Sequence, residues 1–179
     1  MFVQFAKRFG WGKSVRRDGP QSHLAKEGTP TMGGVAFLIA SVLVWRLTSQ
    51  PSSDELALVG LIVLSGILGW YDDIISLRRK RAGQKDASTG LLARYRLLLQ
   101  GLFALLFALY VVSTGRSLMG VAWLDVLAYT FVVVGSINAL NFSDGLDGLA
   151  AGMSAIMFLL FMHVPIVVCL VGALCGVLW

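Results

Sequence analysis

Three groups of polar residues interrupt a strongly apolar chain of 179 residues, and each has the types and spacing for phosphate or metal chemistry. Asp72 and Asp73 follow the apolar run Leu56–Tyr71. The plain reading makes them a helix terminus at a water boundary. A C-terminal helix end is the negative pole of the macrodipole, however, so two carboxylates there need a cation or a basic partner. Acids at a membrane boundary are expensive, and they mark function. Asn138, Asn141, Asp144 and Asp147 recur every third residue within Asn138–Gly148. Consecutive members share a helix face, although the row drifts by about 60° per step on an ideal helix. Gly145 and Gly148 allow the chain to distort and absorb that drift. Two amides and two carboxylates ending an apolar span are costly unless they bind something or cap the helix. The third group is Gly28–Gly34, where the first apolar run begins, with His23 and Lys26 just before it and Thr31 inside it. Glycines and the free N–H groups of a helix start suit an anion such as phosphate. A simple helix cap explains the same residues equally well. The spacing is not that of a Walker loop, which argues against a nucleotide hydrolase of that type.

The elements that must position these groups are set by composition. Of the chain, 56% is hydrophobic and 14% charged, and the mean hydropathy is +0.75. Soluble domains average about 45–50% apolar and about 25% charged. The chain is therefore expected to be an all-α polytopic membrane protein with five to six transmembrane helices of roughly 20 residues each. Six apolar runs carry that expectation: Met32–Leu47, Leu56–Tyr71, Leu97–Ser113, Val121–Leu140, Leu149–Met162 and Ile166–Trp179. The last two are expected to form a hairpin about His163 and Pro165, because one continuous helix would overshoot the hydrocarbon by about 15 Å. Disorder is excluded by the apolar content. Cys169 and Cys175, the only two cysteines, read as buried structural thiols rather than a bridge. Residues 1–31 are basic without a continuous apolar core, unlike a signal peptide.

Charge sets the orientation. Residues 1–31 hold six of the fifteen Lys and Arg, and residues 72–96 hold seven. Arg46 and Arg116 are the other two. The positive-inside rule then makes 1–31 a cytoplasmic N-terminal segment and 72–96 a cytoplasmic basic loop. Topology and anionic headgroups account for the net charge of +5, so nucleic acid is not an expected partner. Alternating crossings bring all three polar groups to the cytoplasmic face. The outward loops, Ser49–Asp54 and Thr114–Gly120, carry no comparable chemistry. Asp125 reads as interfacial, His163 as a turn residue, and Trp45, Trp70, Tyr71 and Trp123 as belt aromatics.

The stretch Asp18–Gly34, the pair Asp72–Asp73 and the run Asn138–Gly148 together resemble the phospho-N-acetylmuramoyl-pentapeptide transferase family of the polyprenyl-phosphate N-acetylhexosamine-1-phosphate transferase superfamily. The His23–Gly34 segment is similar to the muramoyl branch, and the D-G-L-D-G run to the wider superfamily. The resemblance covers nearly the whole chain, residues 1–179 reading as one transmembrane domain like spans two to six of a longer family member. It implies transfer of phospho-MurNAc-pentapeptide from UDP-MurNAc-pentapeptide to undecaprenyl phosphate, giving lipid I and UMP, with Mg²⁺, at the bacterial inner membrane. By the resemblance Asp72, Asp73 and Asp144 are catalytic, Asp72 and Asp144 bind metal, and His23, Lys26, Thr31, Asn138, Asn141 and Asp147 bind substrate. Two positions depart from the family pattern, with Ser76 and Arg96 where lysines are usual. A principal metal-binding aspartate and the substrate-binding histidines of the family have no counterpart here. The alternatives are therefore an inactive truncated piece serving assembly, or a related UDP-GlcNAc transferase. Membrane lipid is an expected partner, as is a second copy or a chain carrying the complementary half.

Overall fold

The computed structural model describes residues 33–81, 93–143 and 149–178, and every regular element among them is helical. The helices are α1 (Gly33–Thr48), α2 (Ser53–Arg81), α3 (Ala93–Ser113), α4 (Ala122–Ser143), α5 (Leu149–Leu159) and α6 (Pro165–Leu178). Three contain a segment long and apolar enough to cross a membrane: Ser53–Ser76, Arg94–Ser113 and Ala122–Ser143. The other three are apolar but shorter, with 16, 11 and 14 residues. A helix of about 14 residues reaches about 21 Å, short of the roughly 30 Å hydrocarbon layer. The chain is an all-α polytopic membrane protein, and the six helices among the described residues match the six apolar runs.

In lipid no water is at hand for polar groups, so side-chain hydroxyls on apolar helices must turn back to the backbone. Ser41 donates to the Phe37 carbonyl at 2.8 Å, Thr48 to Val44 at 2.8 Å, and Thr130 to Val126 at 2.7 Å. Helix ends follow the same economy. Ser52 accepts the Glu55 N–H at 3.3 Å at the start of α2, where Asp54 and Glu55 suit the positive end of the dipole. Pro165 opens α6, a position whose N–H needs no partner.

Of the described residues, 33–36, 66–81 and 93–96 belong to one compact unit, and 37–65, 97–143 and 149–178 to another. In the second unit α5 and α6 pack against each other across the turn after Leu159, as the hairpin expectation requires. Around α6 lies a cluster of Trp45, Val59, Ile166, Val167 and Leu170, flanked by Phe37, Ile62, Phe158 and Cys169. Lipid tails are as apolar as these side chains, so close packing rather than water exclusion favours the cluster. Trp45 is 3% exposed. It is core, not belt, because α1 turns that face toward α2 and α6. Trp70, Tyr71 and Trp123 are exposed, as a belt requires. Cys169 and Cys175 are free thiols, but Cys175 is exposed rather than buried. His163 lies exposed in the turn before α6.

α3 buries Gln100, Ala104, Ala108 and Val111. Their spacing draws one stripe along the helix, and the two alanines at its centre allow a neighbouring backbone to come close.

Candidate functional site

In the first unit the acidic pair does not end a helix. α2 runs on to Arg81, so Asp72 and Asp73 lie inside it, still within the apolar segment that closes at Ser76. The clash expected with the helix dipole falls away, because that field acts mainly on the terminal turn. The last turn instead carries Arg78 and Arg79, which suit its negative end. The basic stretch 72–96 is accordingly helical at both of its described ends, 72–81 and 93–96. Both aspartates are half-buried. Asp72, Ser76 and Arg79 follow at i, i+4 and i+7, one face of the helix, and Asp73 is turned about 100° away. A carboxylate, a hydroxyl and a guanidinium in that row can hold an anionic group while a carboxylate takes its proton or its metal. At the start of α3 the Arg94 guanidinium lies 5.0 Å from the centre of the Tyr95 ring.

In the second unit α4 carries Asn138 and Asn141 close to its end at Ser143. Asn138 Nδ2 donates to Gln100 Oε1 at 3.1 Å and to the Val134 carbonyl at 2.8 Å. Both amide hydrogens are thus directed at protein acceptors, and the carbonyl Oδ1 is the group that suits a ligand. Asn138 is half-buried and Asn141 exposed, in keeping with a drift of about 60° over three residues. Gln100 is 7% exposed and escaped the sequence reading. Its signal was there to see: a single amide in an apolar span needs a partner on a neighbouring helix. His23, Lys26, Thr31, Asp144 and Asp147 lie outside the described residues.

A hard divalent cation takes oxygen ligands, and Mg²⁺ commonly keeps its waters and binds one or two protein carboxylates plus substrate phosphates. Asp72 and Asp73 offer donors of that chemistry. Among the described residues no three His, Cys, Asp or Glu side chains gather as a ready-made cage.

The opposite helix ends hold more polar structure than the sequence suggested. Arg116 grips the Asp54 carboxylate with two parallel hydrogen bonds, Nη1 to Oδ1 at 3.0 Å and Nη2 to Oδ2 at 2.5 Å. Tyr110 donates to the same Oδ1 at 3.0 Å. The Asp54 hydrogen bonds hold the Arg116 guanidinium still more firmly protonated than usual. Asp125 is 1% exposed, so its carboxylate takes its partners from the protein. Its carboxylate accepts the Ser117 hydroxyl at 2.6 Å and the N–H groups of Leu118 at 3.0 Å and Met119 at 2.7 Å. These contacts tie α2, α3 and α4 and shape a loop; they present no group poised for chemistry.

The comparisons with known proteins bear on these residues directly. The model for glycosyl transferase family 4 matches residues 56–179, which include both Asp72–Asp73 and Asn138–Gly148. Residues 26–38 match signature 1 of phospho-N-acetylmuramoyl-pentapeptide-transferase. A phospho-N-acetylmuramoyl-pentapeptide-transferase of Deinococcus radiodurans is 41% identical over all of this chain and 62% of its own length. One of Clostridioides difficile is 37% identical over 90% of this chain and 52% of its own length. One of Frankia alni is 36% identical over 87% and 48%. The chain thus spans about half to three-fifths of the length of these relatives. Because the family model takes in well over half of the chain, including Asp72 and Asp73 on α2 and Asn138 and Asn141 on α4, the chain belongs to glycosyl transferase family 4.

Proposed function

We propose that this chain transfers phospho-MurNAc-pentapeptide from UDP-MurNAc-pentapeptide to undecaprenyl phosphate, forming lipid I and releasing UMP, at the cytoplasmic face of the bacterial inner membrane. The observation that carries this reading is the signature match at residues 26–38, which separates the muramoyl branch from transferases of other UDP-sugars. The names of the three relatives favour it over a UDP-GlcNAc transferase. Positive-inside counting supports the cytoplasmic face.

In this reading an oxygen of the lipid phosphate attacks the sugar-linked phosphorus of the UDP-sugar. A new phosphoanhydride bond forms, the old one breaks, and the electron pair leaves on UMP. Asp72 holds or removes a proton on the lipid phosphate, and Asp73 supports its charge. Ser76 and Arg79, on the Asp72 face, steady the anion by hydrogen bond and charge. Asn138 Oδ1 and Asn141 orient the diphosphate end with Asp144, and Asp147 contacts the nucleoside. His23, Lys26 and Thr31 bind phosphate. Asp72 and Asp144 are the proposed holders of Mg²⁺, which when bound neutralises the diphosphate and stabilises the leaving group.

The test is product formation in membranes from cells expressing the gene that encodes this chain, given undecaprenyl phosphate and either UDP-MurNAc-pentapeptide or UDP-GlcNAc. UMP release and a lipid-linked product are expected with the first sugar only. Turnover of UDP-GlcNAc instead would assign the chain to the other branch.

A further inference from the structure

The loop between α3 and α4 is built in a way the transferase reading does not require. Five of its backbone N–H groups are satisfied inside the protein. The Thr114 N–H reaches the Tyr110 carbonyl at 3.1 Å and the Gly115 N–H the Val112 carbonyl at 3.0 Å. Leu118 and Met119 donate to Asp125, and the Gly120 N–H reaches Ser117 Oγ at 2.7 Å. Turned outward from this polar interior are Leu118, Met119 and Trp123, which are 62%, 60% and 64% exposed. A loop meant for water shows the reverse arrangement, with its amides solvated and its apolar side chains tucked in.

We propose that this loop is a lipid-seated anchor: Leu118, Met119 and Trp123 lie in the headgroup–acyl boundary, and the buried Asp125 carboxylate makes that placement tolerable by taking up the loop's N–H groups. Two further observations favour lipid over a protein partner as the occupant. The loop joins two segments that are each long and apolar enough to span, Arg94–Ser113 and Ala122–Ser143. Residues 114–121 are therefore tethered at both ends to the membrane boundary, and lipid is continuous with the exposed faces of both helices. Backbone groups in lipid must be paired internally, and tryptophan prefers this depth. Arg116 is taken up by Asp54 and so brings no unpaired charge to the tip.

The experiment uses the chain in phosphatidylcholine–phosphatidylglycerol vesicles, with Cys169 and Cys175 replaced by alanine. An environment-sensitive NBD probe is placed at Leu118→Cys, or at Gln50→Cys in the polar connection between α1 and α2. The Leu118 probe should emit to the blue, be quenched several-fold less by aqueous iodide than the Gln50 probe, and be quenched by headgroup-proximal bromolipids. Equal iodide quenching at the two positions overturns the proposal. Shielding from iodide without bromolipid quenching also overturns it, because the occupant is then protein. Adding Asp125→Ala should move the Leu118 probe toward water. Ser117→Ala, which removes one donor to the carboxylate and the acceptor of the Gly120 N–H, should do so more weakly. A probe unmoved in both variants overturns the part assigned to Asp125.

Discussion

Asn138 and Gln100, on α4 and α3, face each other through a side-chain amide hydrogen bond of 3.1 Å. The bond joins a proposed substrate-binding residue to the buried stripe of α3, so the position of the α4 end depends on a residue with no chemistry of its own. Interhelical hydrogen bonds in membranes are worth about 0.6 kcal/mol on average and about 1.7 at most. A double-mutant cycle with Gln100→Leu and Asn138→Leu, read by unfolding in detergent, should give a coupling within that range. A coupling of zero would mean that the two amides do not meet in the folded protein.

Turnover should separate the acids. Asp72→Asn and Asp144→Asn are each expected to lower lipid I formation by about 10²-fold or more, the size of a lost acid–base or charge-stabilising role. Asp54→Asn, in the pair with Arg116, should leave turnover of the folded protein near normal. Near-normal product from Asp72→Asn would remove that residue from the mechanism.

The clearest lesson about legibility comes from α2. The apolar run ending at Tyr71 was visible in the sequence, but hydropathy falls at Asp72 whether or not the helix stops there. Helix-forming residues and a basic last turn carry α2 on to Arg81. Asp125 shows a second limit. A lone acid at a span end looks the same in sequence whether it meets water or accepts a hydroxyl and two N–H groups from a loop six to eight residues back, because only the turn geometry decides. Gln100 and Trp45 make the same point for packing. Their burial depends on which helix lies alongside, and periodicity does not report that. What was legible was the part written in local composition: the helical character of the six apolar runs and the hairpin of α5 and α6.

Orientation gives a prediction of its own. With thirteen of the fifteen basic residues in segments 1–31 and 72–96, cysteines at Ser14 and Ser88 should react with impermeant maleimide only from the cytoplasmic side. A cysteine at Gln50 should react from the other side. Gln50 is preferable to Ser52, whose hydroxyl caps α2. Labelling of Ser14 and Gln50 from one side would reverse the proposed face.

Removing the Asp125 carboxylate should cost stability rather than chemistry. Asp125→Ala strips three donors of their acceptor. A donor left without its acceptor weakens the fold to the extent that water or another group does not replace it. The expected result is a clear fall in unfolding midpoint, with kcat of the surviving folded protein little changed.

Two glycines should respond in opposite directions to the same substitution. Gly120 has φ of 77° and Gly135 lies inside α4 at ordinary helical angles. A Cβ built at either position meets nothing within 4 Å, so crowding plays no part and the backbone alone decides the sign. At Gly120 an alanine must adopt the left-handed conformation, which costs roughly 1–2 kcal/mol per residue. That strain falls on the loop whose Gly120 N–H bonds Ser117 Oγ, so Asp125 and Ser117 feel it as well. At Gly135 alanine loses less conformational freedom on folding and should stabilise the helix by about 0.5–1 kcal/mol. Unfolding of the two variants in one detergent should therefore move the midpoint down for Gly120→Ala and up for Gly135→Ala. A stabilised Gly120→Ala would show that the loop does not use the left-handed turn, and the hydrogen bonds that seat Leu118 and Met119 would have to be redrawn with it.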